Sequence, residues 1–165
     1  MEGACGKILA TEIPAVVIKK IHRRNRAHQR TGSLTAQQQC EMQERCREIC
    51  RVIGARTLFI PRAWDAEAFQ YKMTRISVDK PLEILDAKAH PVFEELKAFY
   101  SRCRTHTIFP ADFELYEQPD GTVAMVDFDK FACWKTSGEI QFPWGLTVQD
   151  KDLLEPLGLS CLLGQ

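Results

Sequence analysis

One apolar run ends in Val126-Asp127-Phe128-Asp129-Lys130, which places two carboxylates and an amine within the four positions from Asp127 to Lys130. In an alternating strand Asp127 points away from Val126 and Phe128, and Asp127 and Asp129 share a face as far as the strand extends. Carboxylates held that close either coordinate a cation or split their proton affinities, so that one of them serves as a base. Lys130 can neutralise the pair or donate to a carbonyl. Asp112 and Glu114 stand at the start of the partner strand. The expected catalytic set is therefore Asp127, Asp129, Lys130 and Asp112, with Glu114 on the substrate side. The plain structural alternative is a solvated sheet rim, where acids commonly end a buried strand.

A second set is basic. Residues 19–30 carry six Lys or Arg and two His with no acid. Such a run neutralises phosphates and releases their counterions, and its Arg and His side chains can stack on unpaired RNA bases. Lys20, Arg23, Arg24, Arg26 and Arg30 are the expected nucleic-acid contacts; a solvated loop is the alternative. Lys19 closes the run Val16-Val17-Ile18-Lys19 just ahead of a Glu-rich helix. A buried strand Lys opposite a helix Glu is an arrangement that holds phosphates in kinases. Formal net charge is zero, so the neutral total hides a basic arm and an acidic centre running from Asp112 to Asp129 without Lys or Arg.

These groups need elements to hold them. Ile13 to Ile21 reads as a strand with Ala15, Val17, Lys19 and Ile21 on one face. Thr35-Ala36-Gln37-Gln38 fits a capping box, and Met42, Cys46, Ile49, Cys50 and Ile53 continue at helical spacing to Gly54, which predicts a helix over 36–53. Arg56 to Pro61 and Phe69 to Ile76 read as short strands. Pro91 to Arg102 reads as a second helix with Pro91 in its first turn. Phe113 to Glu117 and Thr122 to Phe128 form a hairpin across Gln118-Pro119-Asp120-Gly121. Trp134 to Gly145 reads as a Gly-, Pro- and Trp-containing loop, and Thr147 as the cap of a short helix ending before Pro156.

The chain has 165 residues, 45% of them hydrophobic and 27% charged, enough to bury one core and too apolar for disorder. No window approaches a membrane span, and no basic-then-apolar leader follows Met1, so a cytoplasmic setting is expected. The seven cysteines lack the paired spacing of a structural zinc site, so they read as small buried hydrophobes carrying free thiols. No Gly-x-Ser-x-Gly occurs, and no Ser or Cys stands at a telling distance from a His.

The order of these segments resembles a much reduced protein kinase. The Gly-containing start (Gly3-Ala4-Cys5-Gly6-Lys7), Val-Val-Ile-Lys, a Glu-rich helix and Asp127-Phe128-Asp129 follow one another as kinase segments do, with Asp112 near the place of a catalytic-loop Asp. His-Arg-Asp is missing, and Glu117 stands where a catalytic-loop Asn would lie. The closer resemblance is to a fungal family long catalogued as a domain of unknown function and often mislabelled as zinc-finger proteins. It rests on Ile60-Pro61-Arg62, Tyr71 to Ile76, Asp112 to Leu115, Asp127 to Lys130 and Phe142 to Gly145. That family includes arginine-containing cyclodipeptide synthases. The resemblance implies a single α+β domain of reduced kinase-like fold, with an antiparallel sheet and packed helices. It implies an aminoacyltransferase that joins the arginyl group of arginyl-tRNA to a second aminoacyl group as a cyclic dipeptide. Each substrate ester is already activated, so ATP, a metal or another cofactor is not required. Lys19, Glu44 and Glu114 would contact substrate. A kinase-like phosphotransferase or pseudokinase, and a non-catalytic RNA-binding module, are the other two readings.

Overall fold

The computed structural model describes residues 6–21, 34–128 and 130–163. Among them, β1 (Gly6–Ala10), β2 (Val16–Ile21), β4 (Ala63–Trp64) and β5 (Gln70–Thr74) form an antiparallel sheet in the order β1-β2-β5-β4. Three further strands, β3 (Leu58–Phe59), β7 (Glu114–Glu117) and β8 (Val123–Val126), form a second sheet in the order β3-β8-β7. Its β3–β8 pair is parallel and its β7–β8 pair is the expected hairpin. A third sheet orders β11 (Thr147–Gln149), β10 (Glu139–Gln141), β9 (Phe131–Trp134) and β6 (Ile108–Pro110). The helices are α1 (Ala36–Val52), α2 (Ile84–Ala87), α3 (Val92–Thr105) and α4 (Asp150–Leu154), with a 3-10 turn at Ser160–Leu162. The architecture is α+β with three mostly antiparallel sheets, rather than the one antiparallel sheet expected.

α1 starts as its capping box predicts. Thr35 accepts from the Gln38 backbone N–H at 3.1 Å, and the Gln38 side chain accepts from the Thr35 N–H at 2.9 Å. Gly54 ends it at a φ of 69°, a left-handed position that a side chain would strain. Likewise the β7–β8 turn closes through Gly121, whose φ is 86°. The second expected helix, α3, runs three residues past Arg102, to Thr105.

Two apolar clusters share α1. Its later turns send Cys46, Ile49 and Cys50 into the larger one, with α3 residues Leu96, Phe99 and Tyr100 and strand residues Met125, Phe131 and Trp134. Its first turns send Ala36 and Cys40 into the smaller one, against Val17, Ile21, Tyr71 and Met73 of the first sheet. Val126 belongs to the smaller cluster and Phe128 to the larger. The chain therefore crosses between two cores at Asp127.

The segment Trp134 to Gly145 is not the loop expected. It contains the end of β9 and all of β10, and Thr147 opens β11 instead of capping a helix; the cap position before α4 is Gln149. These strands are three or four residues long, and cross-strand pairing, not local composition, makes them. Trp134 is fully buried and its indole N–H donates to the buried Asp150 carboxylate at 3.2 Å. No helix among the described residues is long and apolar enough to cross a membrane.

One carboxylate anchors the entry to β3. Glu95 on α3 accepts from the backbone N–H groups of Arg56, Thr57 and Leu58, the last at 2.7 Å. Burial works against its ionisation, but these three donors and the Arg56 charge outweigh it and hold its pKa below the ordinary value. A depressed carboxylate stabilises fully above its unfolded pKa and loses that contribution as pH falls through its folded one. Glu95→Ala is expected to cost about 2–3 kcal/mol at neutral pH, from charge-assisted bonds and stranded donors. Urea denaturation should show the gap between variant and wild type narrowing as the medium is acidified below the normal carboxylate range.

Candidate functional site

β2 alternates as its sequence predicts: Val17, Lys19 and Ile21 are buried, while Val16, Ile18 and Lys20 are partly exposed. Lys19 is thereby carried into the space between the first sheet and α1, and is only 8% exposed. A buried ammonium requires a counter-charge. The Lys19 Nζ lies 3.1 Å from Asp127 Oδ1, an ion pair that ties the first sheet to the second, with 31% of the Asp127 side chain exposed. The pair with a helix Glu expected of Lys19 does not form with Glu44. Glu44 lies one position round the helix, where it faces the Ala63 N–H at 3.4 Å and Arg47 at 3.7 Å. The helix residue turned inward is Gln43, 1% exposed. Its amide donates to the Pro61 carbonyl at 2.8 Å and accepts from the Tyr71 hydroxyl at 3.3 Å.

Asp127 does not continue the strand. β8 ends at Val126, with both faces of its four residues buried, so the expected alternation is absent. Asp127 then takes a φ of 75°. Left-handed backbone is uncommon for any residue but glycine, though Asp and Asn adopt it more readily than most. The turn at this point sends Phe128 into the larger core, where it packs on Phe131 with ring centroids 5.7 Å apart. The shared strand face once expected for Asp127 and Asp129 is thus lost at Asp127 itself; Asp129 lies outside the described residues. So do Arg23, Arg24, Arg26 and Arg30. Lys20 is described: it stands on β2 across from Lys7 and Gln70.

Lys130 pairs with Asp112 at 3.2 Å, both side chains about half exposed. Asp112 and Glu114 line a groove of about 380 Å3 with Glu83, Leu82, Ile84 and Tyr116 among its other walls. Among the described residues no Lys or Arg lines it. Glu114 accepts from the Tyr116 hydroxyl at 2.7 Å. Burial first, then that carboxylate and the Asp127 charge, push the Tyr116 pKa up to about 12, so its hydroxyl stays a donor. Tyr116 thus lines the groove and also packs against the smaller apolar cluster.

The thiols of Cys40, Cys46, Cys50 and Cys103 are buried, as expected, whereas Cys133 and Cys161 are exposed. Burial raises all four buried thiols, Cys50 to about 12, which disfavours their thiolate forms. No group of three or more His, Cys, Asp or Glu side chains among the described residues is gathered to hold a metal ion.

Tyr71, Gln43 and Tyr116 are the polar residues of this centre that the sequence reading passes over. Gln43 carried a usable signal: it lies three residues before Cys46 and seven before Cys50, on the apolar stripe of the helix. Comparisons with family models, curated proteins and solved structures find no match for this chain.

Proposed function

We propose that the chain is a tRNA-dependent arginine-containing cyclodipeptide synthase on a reduced kinase-like frame. It joins the arginyl group of arginyl-tRNA and a second aminoacyl group into a 2,5-diketopiperazine. The observation that carries this reading is the groove walled by Glu83, Asp112 and Glu114, whose described walls include no Lys or Arg, although Asp112 itself pairs with Lys130. Carboxylates pair bidentately with a guanidinium, and the apolar walls at Leu82 and Ile84 suit the methylene stem of an arginine. An α-amine has a pKa of roughly 8 in water, so a nearby carboxylate such as Asp127 needs modest help to take its proton. In this reading Lys19 donates to the ester carbonyl as negative charge develops there.

The resemblance of Ile60-Pro61-Arg62, Tyr71 to Ile76 and Asp127 to Lys130 to the family of arginine-containing synthases supports the same reading, as does the basic run at 19–30. A phosphotransferase is the second reading, favoured by the ion pair between a β2 Lys and the Asp that follows β8. Against it stands the neutral Gln43 at the inward helix position, where a phosphate-holding Lys would have its Glu.

Purified protein given arginyl-tRNA and a mixture of other aminoacyl-tRNAs, without ATP, should yield an arginine-containing cyclic dipeptide by mass spectrometry. No such product with both charged tRNAs present overturns the reading. Stabilisation by ATP with magnesium in a parallel sample would favour the phosphotransferase. Salt-sensitive RNA binding with neither result would favour a binding module. Within the main reading, Arg23→Ala with Arg24→Ala should weaken tRNA binding and reduce the slope of affinity against salt by up to about 2, as measured by filter binding across a salt series.

A further inference from the structure

The polar groups behind Lys19 form a chain whose direction is fixed by chemistry. Pro61 offers only a carbonyl at this contact, so the Gln43 atom 2.8 Å away must be the amide nitrogen. The Gln43 oxygen then faces Tyr71, and the Tyr71 hydroxyl must donate to it. A hydroxyl has one proton. With that proton committed to Gln43, the Tyr71 oxygen presents lone pairs to whatever lies on its other side. Lys19 is the cross-strand partner of Tyr71. Burial pushes the Tyr71 pKa up, and the ammonium of Lys19 pulls against it at close range. Tyr71 and Gln43 are each 1% exposed, so water cannot take over either role.

We propose that Gln43 and Tyr71 are positioning residues, which act through Lys19 by holding its ammonium between the Tyr71 oxygen and Asp127 Oδ1. A buried glutamine costs free energy that an apolar residue of its size would not, unless its amide is used. Here both ends of the amide are used, and the result is one more acceptor aimed at Lys19. The proposal rests on Lys19–Asp127 being the reactive centre of the function proposed above, but not on the identity of the substrate.

The test reads Lys19 itself. Full-length protein is exposed briefly to an amine-acylating reagent at mildly alkaline pH, and acylation of Lys19 is compared by mass spectrometry with that of the exposed Lys151 in the same molecules. Removing an acceptor disfavours the charged amine and frees it to react. Tyr71→Phe and Gln43→Met should each raise relative Lys19 acylation about threefold or more. Together they should exceed the larger single effect by little, because they act as one unit. Met73→Ala, a buried change on the same strand as Tyr71 without a polar group, should leave the ratio near wild type. The proposal is overturned if folded Gln43→Met reacts as wild type, or if Met73→Ala raises the ratio equally. Should Tyr71→Phe not fold, Gln43→Met with its Met73 control decides alone. Because no product is measured, a failed synthase assay counts against the reaction and leaves this test intact.

Discussion

Asp127→Asn is expected to lower cyclic dipeptide formation by about 10²- to 10⁴-fold, the range in which a positioned general base contributes, while tRNA affinity stays near wild type. The substitution suits the site because it changes so little else. Asn is nearly the same size and adopts left-handed backbone as readily as Asp, so the φ of 75° at this position is retained. An amide oxygen can still accept from Lys19, which keeps the ammonium hydrogen-bonded although its counter-charge is gone. Asp127→Ala would confound these effects by removing the acceptor and straining the backbone at once. Product is measured from charged tRNAs and binding by filter retention of the same tRNAs. If Asp127→Asn turns over at the wild-type rate, the reactive centre lies elsewhere. A fall in tRNA binding to match the loss of product would make Asp127 a binding group instead of a base.

That prediction depends on geometry only partly legible in the sequence. The hairpin was legible because Pro119-Asp120-Gly121 is turn chemistry whatever surrounds it, and α1 because a reciprocal Thr35–Gln38 cap is local. The burial of Lys19 followed from strict alternation along β2. Four things were not legible, for distinct reasons. β8 is buried on both faces, so a period-two reading could not orient Asp127. The phase of α1 relative to β2 is set by packing: the inward position falls on Gln43 and not on the neighbouring Glu44, and a stripe of charge does not reveal that. β9, β10 and β11 are too short to be recognised except through their partners. The groove at Glu83, Asp112 and Glu114 unites residues some 30 positions apart through an isolated bridge between Pro81 and Tyr116, a contact without a local pattern.

The second large effect is expected at Phe128. Asp127 adopts an unfavourable backbone conformation, of the kind that costs about 1–3 kcal/mol, and such a conformation persists only where its neighbours determine it. Val126 is fixed in the smaller core and Phe128, fully buried, in the larger. With both anchored in different clusters, the residue between them has no extended path that keeps both. Phe128→Ala removes the second anchor and leaves a cavity beside Phe131, which should cost about 3–5 kcal/mol in urea denaturation. Phe128→Leu refills most of that volume and should cost less than about 1.5 kcal/mol, leaving Asp127 in place. The two variants therefore separate anchoring from aromaticity. If Lys19 acylation rises in Phe128→Ala under conditions where that variant is still folded, and does not in Phe128→Leu, then the larger core holds Asp127 against Lys19. Equal protection of Lys19 in both folded variants would mean that the ion pair holds the turn, and not the reverse.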